Sequence, residues 1–332
     1  MKPQFLFNAG TGWSATTPFY YTVTQSRYCH SGHQKENGFF KYLSKTGDNQ
    51  KRYQLRKDRL DLDDDWVKTV NNSHYVNLDD VHDLYSQPNL GLNSESIAHF
   101  IKFYLKLYEA VKKDYHAVSD FSNYNFELPE EFLVLLRDQM SEHFDVRITF
   151  QFRDPIRRYF SEVGKFIQHK LILPGISSHK IKHNAYVKGK QHIKLFKYYL
   201  SNVPIFAPAY YTQNIEKFKR VFGEERVLPI IMEEFWNPER KAEQCERLSD
   251  FLNYKIDSIH ENVYYPDMGT KAPRHEGLPD QYGSDFEDLT PQLYEWAKQY
   301  LGFVYSDWEK CYGSLPDEWD QPTIKYRQLK RQ

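Results

Sequence analysis

Two short segments of the chain carry residue types that suit the binding of phosphate or sulfate groups. The first, Gly10–Thr17 (GTGWSATT), combines two glycines with several hydroxyl side chains. Glycines let a turn point its backbone N–H groups inward, and the N-terminus of a following helix adds partial positive charge. Ser14, Thr16 and Thr17 supply hydroxyl groups that can donate to phosphate oxygens. The segment is therefore a candidate anion-binding loop, although a plain glycine turn with Ser and Thr caps would use the same residues.

The second segment, Arg153–Ser161 (RDPIRRYFS), follows the strongest strand pattern in the chain, Val146–Phe152. Arg153 stands at the end of that strand, where a guanidinium group can bind a phosphate through two parallel hydrogen bonds. Pro155 suits the first turn of a helix, and Ser161 follows two turns into it. A solvent-exposed helix would explain the charges of this segment, but not an arginine placed between a strand and a proline.

Two other phosphate-binding motifs compete for the first segment. A Walker A loop, G-x-x-x-x-G-K-[ST], requires a lysine where this chain has Thr16, and without it a triphosphate and its Mg²⁺ are poorly held. The dinucleotide fingerprint G-x-G-x-x-A fits from Gly10, but it also requires an acidic residue at the end of a second strand, about 20 residues further on. Glu36 lies in that region but follows CHSGHQK, which has no strand pattern. Both motifs are therefore disfavoured.

Strand and helix patterns alternate around the two segments. Strands are predicted at Gln4–Ala9, Ala117–Ser119, Val146–Phe152 and Val227–Met232. Helices are predicted from about Ser14 and over Ser96–Lys113, Pro129–His143, Pro155–Gln168, Tyr186–Ser201, Thr212–Phe222, Pro238–Leu252 and Pro291–Cys311. This alternation predicts an α/β fold with three α/β/α layers and a central parallel sheet. Ligands of such sheets bind at the carboxyl ends of the strands, so both segments are expected there.

The composition narrows the class of protein. The chain has 332 residues, 40% of them apolar and 27% charged, as in folded globular proteins. Its 44 Lys plus Arg balance 45 Asp plus Glu, which argues against a nucleic-acid or membrane-surface role. Cys29, Cys245 and Cys311 form neither a disulfide framework nor a metal-ligand spacing, and the sequence contains neither a secretory signal nor a membrane-spanning run. We therefore expect a cytoplasmic protein that uses no metal.

Together, the two segments resemble the nucleotide-binding motifs of sulfotransferases that use 3′-phosphoadenosine 5′-phosphosulfate. The first loop of that family reads roughly G-x-P-[KR]-S-G-T-T, and the second motif reads R-[ND]-P-x-x-R-x-x-S. The second motif is matched in register by Arg153, Pro155, Arg158 and Ser161. The resemblance implies a P-loop NTPase-like fold in which Arg153 and Ser161 hold the 3′-phosphate. It also implies that the 5′-phosphosulfate end is held by residues of the loop: Gly12, Trp13, Ser14, Ala15, Thr16 and Thr17.

Further segments extend the resemblance over most of the chain. His33–Phe40 (HQKENGFF) resembles the K-E-x-x-F-F segment that carries the base in carbohydrate-type members, and Asp120–Tyr124 (DFSNY) resembles an E-x-[ST]-P segment. The region from Tyr211 to Phe235 resembles the C-terminal half of the family. Lys41–Asn93 lies outside the resemblance and is predicted to be a surface insertion in a single domain that spans residues 1–332.

The resemblance also assigns residues beyond the two main motifs. Tyr211 is expected to lie near the nucleotide. Lys271 and Arg274, in a stretch that contains proline and glycine, are expected to close over the 3′-phosphate. The acceptor is expected to be a hydroxyl-bearing carbohydrate or small molecule, in a pocket shaped by Lys41–Asn93 and Leu171–Asn184.

Sulfuryl transfer needs a base for the acceptor hydroxyl and stabilisation of the leaving phosphate. Glu36 is the preferred base, and His33 is the alternative because the ordinary pKa of histidine, about 6.5, also suits the task. Trp13 occupies the position where the family has a Lys or Arg that stabilises the leaving phosphate. Three other cations are candidates for that role: Lys35, Arg27 and Lys165.

Two other functions stay open at this point. A catalytically inactive relative would bind the nucleotide without transferring anything, an interpretation that Trp13 favours. A P-loop kinase-like enzyme would turn over Mg²⁺–ATP, although the chain lacks the Walker lysine.

Overall fold

The chain divides into two compact units. The first consists of Met1–Phe152 and Gln213–His260, and the second of Arg153–Thr212 and Glu261–Gln332. The computed structural model describes residues 2–12, 14, 16–32, 39–40, 91–123, 125–159, 210–260 and 284–319, and only the backbone for 284–296. The single domain and the surface insertion stay predictions.

A parallel β-sheet forms the centre of the first unit. Its strands, within the described ranges, are β1 (Gln4–Asn8), β2 (Cys29–His30), β3 (Ala117–Asp120), β4 (Asp145–Phe152) and β5 (Val227–Ile231). Their spatial order is β2-β3-β1-β4-β5, and every neighbouring pair is parallel. The central strand β1 is therefore flanked by β3 and β4, and Asn8 is in register with Thr149. The predicted parallel sheet is confirmed, with β2 as a short strand that no sequence pattern indicated.

Helices connect and cover the strands. They are α1 (Thr16–Gln25), α2 (Ser94–Val111), α3 (Glu130–His143), α4 (Tyr211–Phe222), α5 (Met232–Phe235), α6 (Lys241–Leu252) and α7 (Ser284–Tyr312). Residues 155–159 are also helical. Single 3₁₀ turns occur at Asn125–Glu127, Glu224–Arg226, Pro238–Arg240 and Asp317–Trp319. Among these helices, none has both the length and the apolar character that crossing a membrane requires.

The starts of helices α2 and α7 differ from the sequence prediction. Helix α2 was predicted from Ser96 but begins at Ser94, after the cap Asn93, whose side chain accepts a hydrogen bond from the backbone N–H of Ser96. Ser96 completes a capping box instead, by hydrogen bonding back to the backbone N–H of Asn93. Helix α7 begins at Ser284 rather than at Pro291, so Pro291 lies inside the helix, where it cannot donate a backbone hydrogen bond. The predicted helix Tyr186–Ser201 lies outside the described residues.

Hydrophobic residues of β1 point alternately to the two faces of the sheet. On one face, the ring of Phe5 contacts the rings of Phe100 and Tyr104 on α2, with centroids 5.7 and 4.8 Å apart. On the other face, Leu6 packs in a buried cluster with Phe19 of α1 and Leu248 of α6. Because successive strand residues point to opposite faces, helices lie on both sides of the sheet. The predicted three-layer α/β/α arrangement is confirmed.

An aromatic cluster characterises the described part of the second unit. Tyr211, at the start of α4, has its ring 6.5 Å from that of Trp308 on α7 and 6.0 Å from that of Trp319. The rings of Trp308 and Trp319 are 4.9 Å apart. All three side chains are buried, so the cluster holds Tyr211 against α7 and the turn at Trp319.

Candidate functional site

The loop that follows β1 rests on a network of buried polar side chains. Asn8, the last residue of β1, donates through Nδ2 to Thr149 Oγ1 (3.1 Å) and to Gln151 Oε1 (2.5 Å), both on β4. Its Oδ1 accepts a hydrogen bond from the backbone N–H of Gly10 (3.0 Å). All three side chains are completely buried. Since β1 and β4 are adjacent and parallel, this network fixes the start of the loop to the carboxyl ends of both strands.

This network also explains why residue 10 is a glycine. A Cβ atom at Gly10 would lie 2.3 Å from Gln151 Oε1 and 2.9 Å from Asn8 Oδ1, closer than any side chain allows. Around Gly12 a Cβ would meet none of the described atoms within 4 Å. Neither glycine has the positive φ that only glycine adopts easily. The requirement at Gly10 is therefore close approach, whereas the described residues impose no steric requirement at Gly12.

The hydroxyl groups of the loop are partly engaged with each other. Thr11 Oγ1 lies 2.7 Å from Ser14 Oγ and 3.2 Å from the carbonyl oxygen of Gln151. When Thr11 donates to Gln151, Ser14 must donate to Thr11. The Ser14 proton is available to a bound anion only when Thr11 donates to Ser14 instead.

Helix α1 begins at the end of this loop. Its first residue, Thr16, is buried, whereas Thr17 is exposed. The first turn contains no acidic residue, so the partial positive charge of the helix N-terminus is not neutralised from within the helix. Backbone N–H groups and hydroxyl groups are thus the donors that the described part of the loop offers.

The second segment begins where β4 ends. The carbonyl oxygen of Arg153 accepts a hydrogen bond from Tyr211 Oη (2.8 Å), and Tyr211 is itself held in the aromatic cluster. The sequence predicted that Tyr211 lies near the nucleotide. In the structure, the hydroxyl group of Tyr211 fixes the backbone of Arg153, directly after β4.

Asp154 starts the short helix after Arg153. Its Oδ1 accepts from the backbone N–H of Arg157 (2.8 Å), and its Oδ2 accepts from Tyr305 Oη (2.9 Å). Burial raises the pKa of this carboxyl, while the hydrogen bond from Arg157, the charge of that residue and the hydrogen bond from Tyr305 act in the opposite direction. Arg158, one residue further on, is 1% exposed. The aspartate of the motif therefore holds the start of a helix that carries arginines.

The segment after β3 is tied to the central strand. Asp120, the buried last residue of β3, accepts from the backbone N–H of Ser122 (3.0 Å) and from its Oγ (2.5 Å). Asn125 Nδ2 donates to the carbonyl oxygen of Asn8 (3.1 Å), directly before the first loop. Because β3 lies on the other side of β1 from β4, these hydrogen bonds support the loop from the side opposite to β4.

Across the described ranges, no group of three or more His, Cys, Asp and Glu side chains could hold a metal ion.

Phe39 and Phe40, which follow the predicted base Glu36 by three and four residues, are anchored in the core. Both are buried, and their ring centroids lie 5.8 and 4.5 Å from that of Phe100. Phe40 also contacts Phe132, at 5.1 Å. Several predicted site residues lie outside the described residues: Trp13, Ala15, His33, Lys35, Glu36, Ser161, Lys271 and Arg274. Their assigned roles stay predictions.

Sequence reasoning missed three polar residues of this region. Asn8 ends the buried strand QFLFN and Gln151 interrupts the apolar end of VRITFQF, and a polar side chain in a buried strand needs partners. That signal was available from the sequence. Tyr305 gave no such signal, because its hydrogen bond to Asp154 joins residues far apart in the chain.

Comparison with known proteins bears on the fold. No protein-family model and no curated protein matches the sequence. A sulfotransferase from Alicyclobacillus acidocaldarius is 15% identical over 97% of this chain and 100% of its own, with a TM-score of 0.50. The sulfotransferase domain from the curacin biosynthetic pathway is 18% identical over 77% of this chain and 75% of its own, with a TM-score of 0.41. The sulfotransferase STF9 from Mycobacterium avium is 11% identical over 95% and 77%, with a TM-score of 0.38.

The first of these likenesses shows that this chain has the α/β fold of a sulfotransferase. The P-loop NTPase-like fold that the motifs predicted is thereby confirmed. At 15% identity the likeness concerns the fold, and the chemistry has to be argued from the residues of this chain.

Proposed function

We propose that the protein is a sulfotransferase that moves a sulfuryl group from 3′-phosphoadenosine 5′-phosphosulfate to an acceptor hydroxyl. One observation carries the proposal: the two motif segments follow β1 and β4, which are neighbouring parallel strands. In α/β sheets, ligands bind at the carboxyl ends of such strands. The fold adds support, because a sulfotransferase shares it.

The two segments divide the nucleotide between them in this proposal. Ser14–Thr17 and the N-terminus of α1 hold the 5′-phosphosulfate through uncharged donors. Arg153 and Ser161 hold the 3′-phosphate, with Lys271 and Arg274 closing over it. A guanidinium group suits this role because it presents parallel donors to a phosphate. The 3′-phosphate distinguishes this donor from ATP, so Arg153 accounts for the choice of nucleotide.

The transfer step is an in-line displacement at sulfur. A bond forms between the acceptor oxygen and sulfur while the bond from sulfur to the bridging phosphate oxygen breaks. The acceptor proton passes to Glu36, with His33 as the alternative base, and the electron pair stays on the leaving 3′-phosphoadenosine 5′-phosphate. Trp13 cannot neutralise that charge, so Lys35 is assigned to it, with Lys165 as the alternative. The candidate Arg27 is excluded, because it lies between the C-terminus of α1 and the start of β2, at the amino ends of the strands, where its carbonyl oxygen accepts from the N–H of His116.

No metal takes part in this mechanism. Activity is therefore expected to survive EDTA. The kinase-like alternative predicts the reverse, because Mg²⁺ bridges the phosphates in phosphoryl transfer. Loss of turnover on chelation and its recovery with Mg²⁺ would favour that alternative.

Calorimetry with 3′-phosphoadenosine 5′-phosphate, ADP and AMP tests the proposal. We expect the 3′-phosphorylated nucleotide to bind and AMP to bind far more weakly, because only the former has a group for Arg153. Equal binding of the two would contradict the assignment. A sulfate-transfer screen over sugars, phenols and small alcohols then separates an enzyme from an inactive relative, which would bind the nucleotide and transfer nothing.

A further inference from the structure

Gln151 has a side-chain donor that the fold leaves unused. It is the residue before the last of β4, and its side chain is completely buried. Its Oε1 accepts a hydrogen bond from Asn8. Its Nε2 has no hydrogen-bond partner within the part of the chain that the structure describes. A buried donor without a partner is unfavourable, so such groups in native proteins call for an explanation.

The hydrogen bonds around Gln151 fix which end of its amide is unused. The backbone of Gly10 can only donate, so the atom of Asn8 that it contacts must be Oδ1. Asn8 therefore presents Nδ2 to Gln151, and Gln151 must present Oε1 in return. Exchanging the oxygen and nitrogen of Gln151 would set two N–H groups against each other. The unused group is consequently the nitrogen, a donor, and its partner has to be an acceptor.

The position of this amide relates it to the first loop. Gln151 Oε1 would lie 2.3 Å from a Cβ at Gly10, so the amide lies directly against the loop backbone. The main chain of Gln151 also accepts from Thr11, the next loop residue. The unused N–H group is thus at the base of the loop between β1 and α1.

We propose that Gln151 is a further residue for binding the sulfuryl donor, its Nε2 donating a hydrogen bond to an anionic oxygen of the 5′-phosphosulfate. The inference rests on the proposed function, which places that group in this loop. A phosphate or sulfate oxygen can only accept hydrogen bonds, and so it complements the Nε2 donor of Gln151, which has no acceptor among the described residues. The amide adds a hydrogen bond without charge, at a loop whose cationic position is occupied by Trp13.

Two variants of Gln151 and two nucleotides test this inference. Gln151→Met removes the amide, and Gln151→Glu keeps an acceptor for Asn8 but replaces the nitrogen by oxygen. Both should weaken binding of 3′-phosphoadenosine 5′-phosphate by about tenfold or more, the usual loss for a hydrogen bond to a charged group. Both should leave binding of adenosine 3′-phosphate, which lacks the 5′-phosphate, within about twofold of wild type.

Gln244 on α6 provides a matched control. It is also buried, and its Nε2 likewise has no partner among the described residues, but it lies on a helix rather than beside the loop. Gln244→Met should change the binding of neither nucleotide. Thermal melting of every variant establishes that it is folded, and Gln151→Glu serves if Gln151→Met does not fold.

The outcomes separate this inference from the proposed function. If the wild type does not bind 3′-phosphoadenosine 5′-phosphate, the proposed function fails and the inference fails with it. If the wild type binds it and the folded Gln151 variants bind it equally well, only the inference is overturned. The same conclusion follows if the variants lose both nucleotides to the same extent.

Discussion

The loop after β1 and the segment after β4 position their anion-binding groups in different ways. The loop is fixed by uncharged groups of two strands, with Asn8 and Gln151 as the central pair. The second segment offers the charge of Arg153, and it is fixed by Tyr211 on the backbone and by the buried carboxylate of Asp154. Hydrogen bonds and close packing thus position the loop after β1. The segment after β4 supplies a charged side chain, and a buried tyrosine and a buried aspartate hold its backbone.

This difference predicts how each segment responds to mutation. A neutral hydrogen bond contributes about 0.5–1.5 kcal/mol and depends on geometry, whereas one to a charged group contributes about 1.5–3 kcal/mol. Changes in the loop should therefore act first on folding and loop placement. Changes at Arg153 should act first on affinity.

The largest expected effect is on turnover and comes from Glu36, which lies outside both segments. It tests whether the two segments contribute to nucleotide binding alone, with the base supplied from elsewhere. Glu36→Gln removes the proposed base, so turnover should fall by roughly 10²–10⁴-fold, the usual share of general base catalysis. Nucleotide affinity, set by the two segments, should stay at the wild-type level in calorimetry. His33→Ala should reduce turnover less, and Lys35→Ala should lower turnover and also weaken donor binding. Normal turnover of Glu36→Gln with an inactive His33→Ala would assign the base to the histidine.

The next effect concerns affinity through charge. Arg153→Ala should weaken binding of 3′-phosphoadenosine 5′-phosphate by at least about tenfold, because a charged hydrogen bond to the 3′-phosphate is lost. Arg147→Ala is the matched control, since Arg147 lies near the start of β4 and pairs with Asp145 at 3.1 Å. It should leave affinity unchanged. Similar losses of affinity in the two variants would show that Arg153 has no specific role in binding the 3′-phosphate.

A third effect concerns steric fit in the loop. Gly10→Ala places a methyl group 2.3 Å from Gln151 Oε1, so the loop or the Asn8–Gln151 pair must shift. Overpacking of this kind costs about 1–3 kcal/mol, measurable as a lower midpoint of thermal unfolding. Gly12→Ala meets no neighbouring atom among the described residues and should melt within about 0.5 kcal/mol of wild type. Equal melting of the two alanine variants would show that the contact at Gly10 does not constrain the loop.

The sequence was sufficient to predict the layers of the fold and the strands that carry the motifs. Strand β4 was predicted within one residue, because VRITFQF is apolar and bounded by charged residues. The two residues of β2, in contrast, carry no periodic pattern, and only pairing with β3 makes them a strand. Periodicity thus identifies long elements, and tertiary contacts decide short ones.

The candidate site was predictable only in part, for a similar reason. The position of Arg153 directly after β4 was predictable, because the strand pattern ends before it, while its role at a phosphate stays a prediction. The hydrogen bond from Tyr305 to Asp154 was not predictable, because it joins positions 151 residues apart. The close approach that requires a glycine at position 10 was likewise not predicted, because it depends on Gln151, far along the chain.

The smallest expected effect concerns the carboxylate that supports the charged segment, and it appears as a pH dependence. Burial raises the folded-state pKa of Asp154 above its ordinary value of 3.8, so the folded protein binds this proton more tightly than the unfolded chain does. The free energy of unfolding therefore falls as pH rises from about 3.8 to the raised folded pKa, and stays lower above it. Asp154→Asn keeps an oxygen for the N–H of Arg157 but does not ionise. The variant should therefore gain stability relative to wild type as pH rises through that window, in denaturant unfolding at a series of pH values.

Glu130 supplies a control of opposite sign for this measurement. It is exposed, and its hydrogen bond from Arg220 lowers its pKa, so ionisation of Glu130 stabilises the folded state. Glu130→Gln should accordingly lose stability relative to wild type as pH rises towards the ordinary pKa of 4.5, by a small amount because the pair is exposed to solvent. If Asp154→Asn follows the same direction as Glu130→Gln, hydrogen bonding to Asp154 outweighs its burial. Ionised Asp154 would then stabilise the segment after β4. That segment would carry a buried negative charge in addition to its arginines, whereas the loop after β1 is held by uncharged groups.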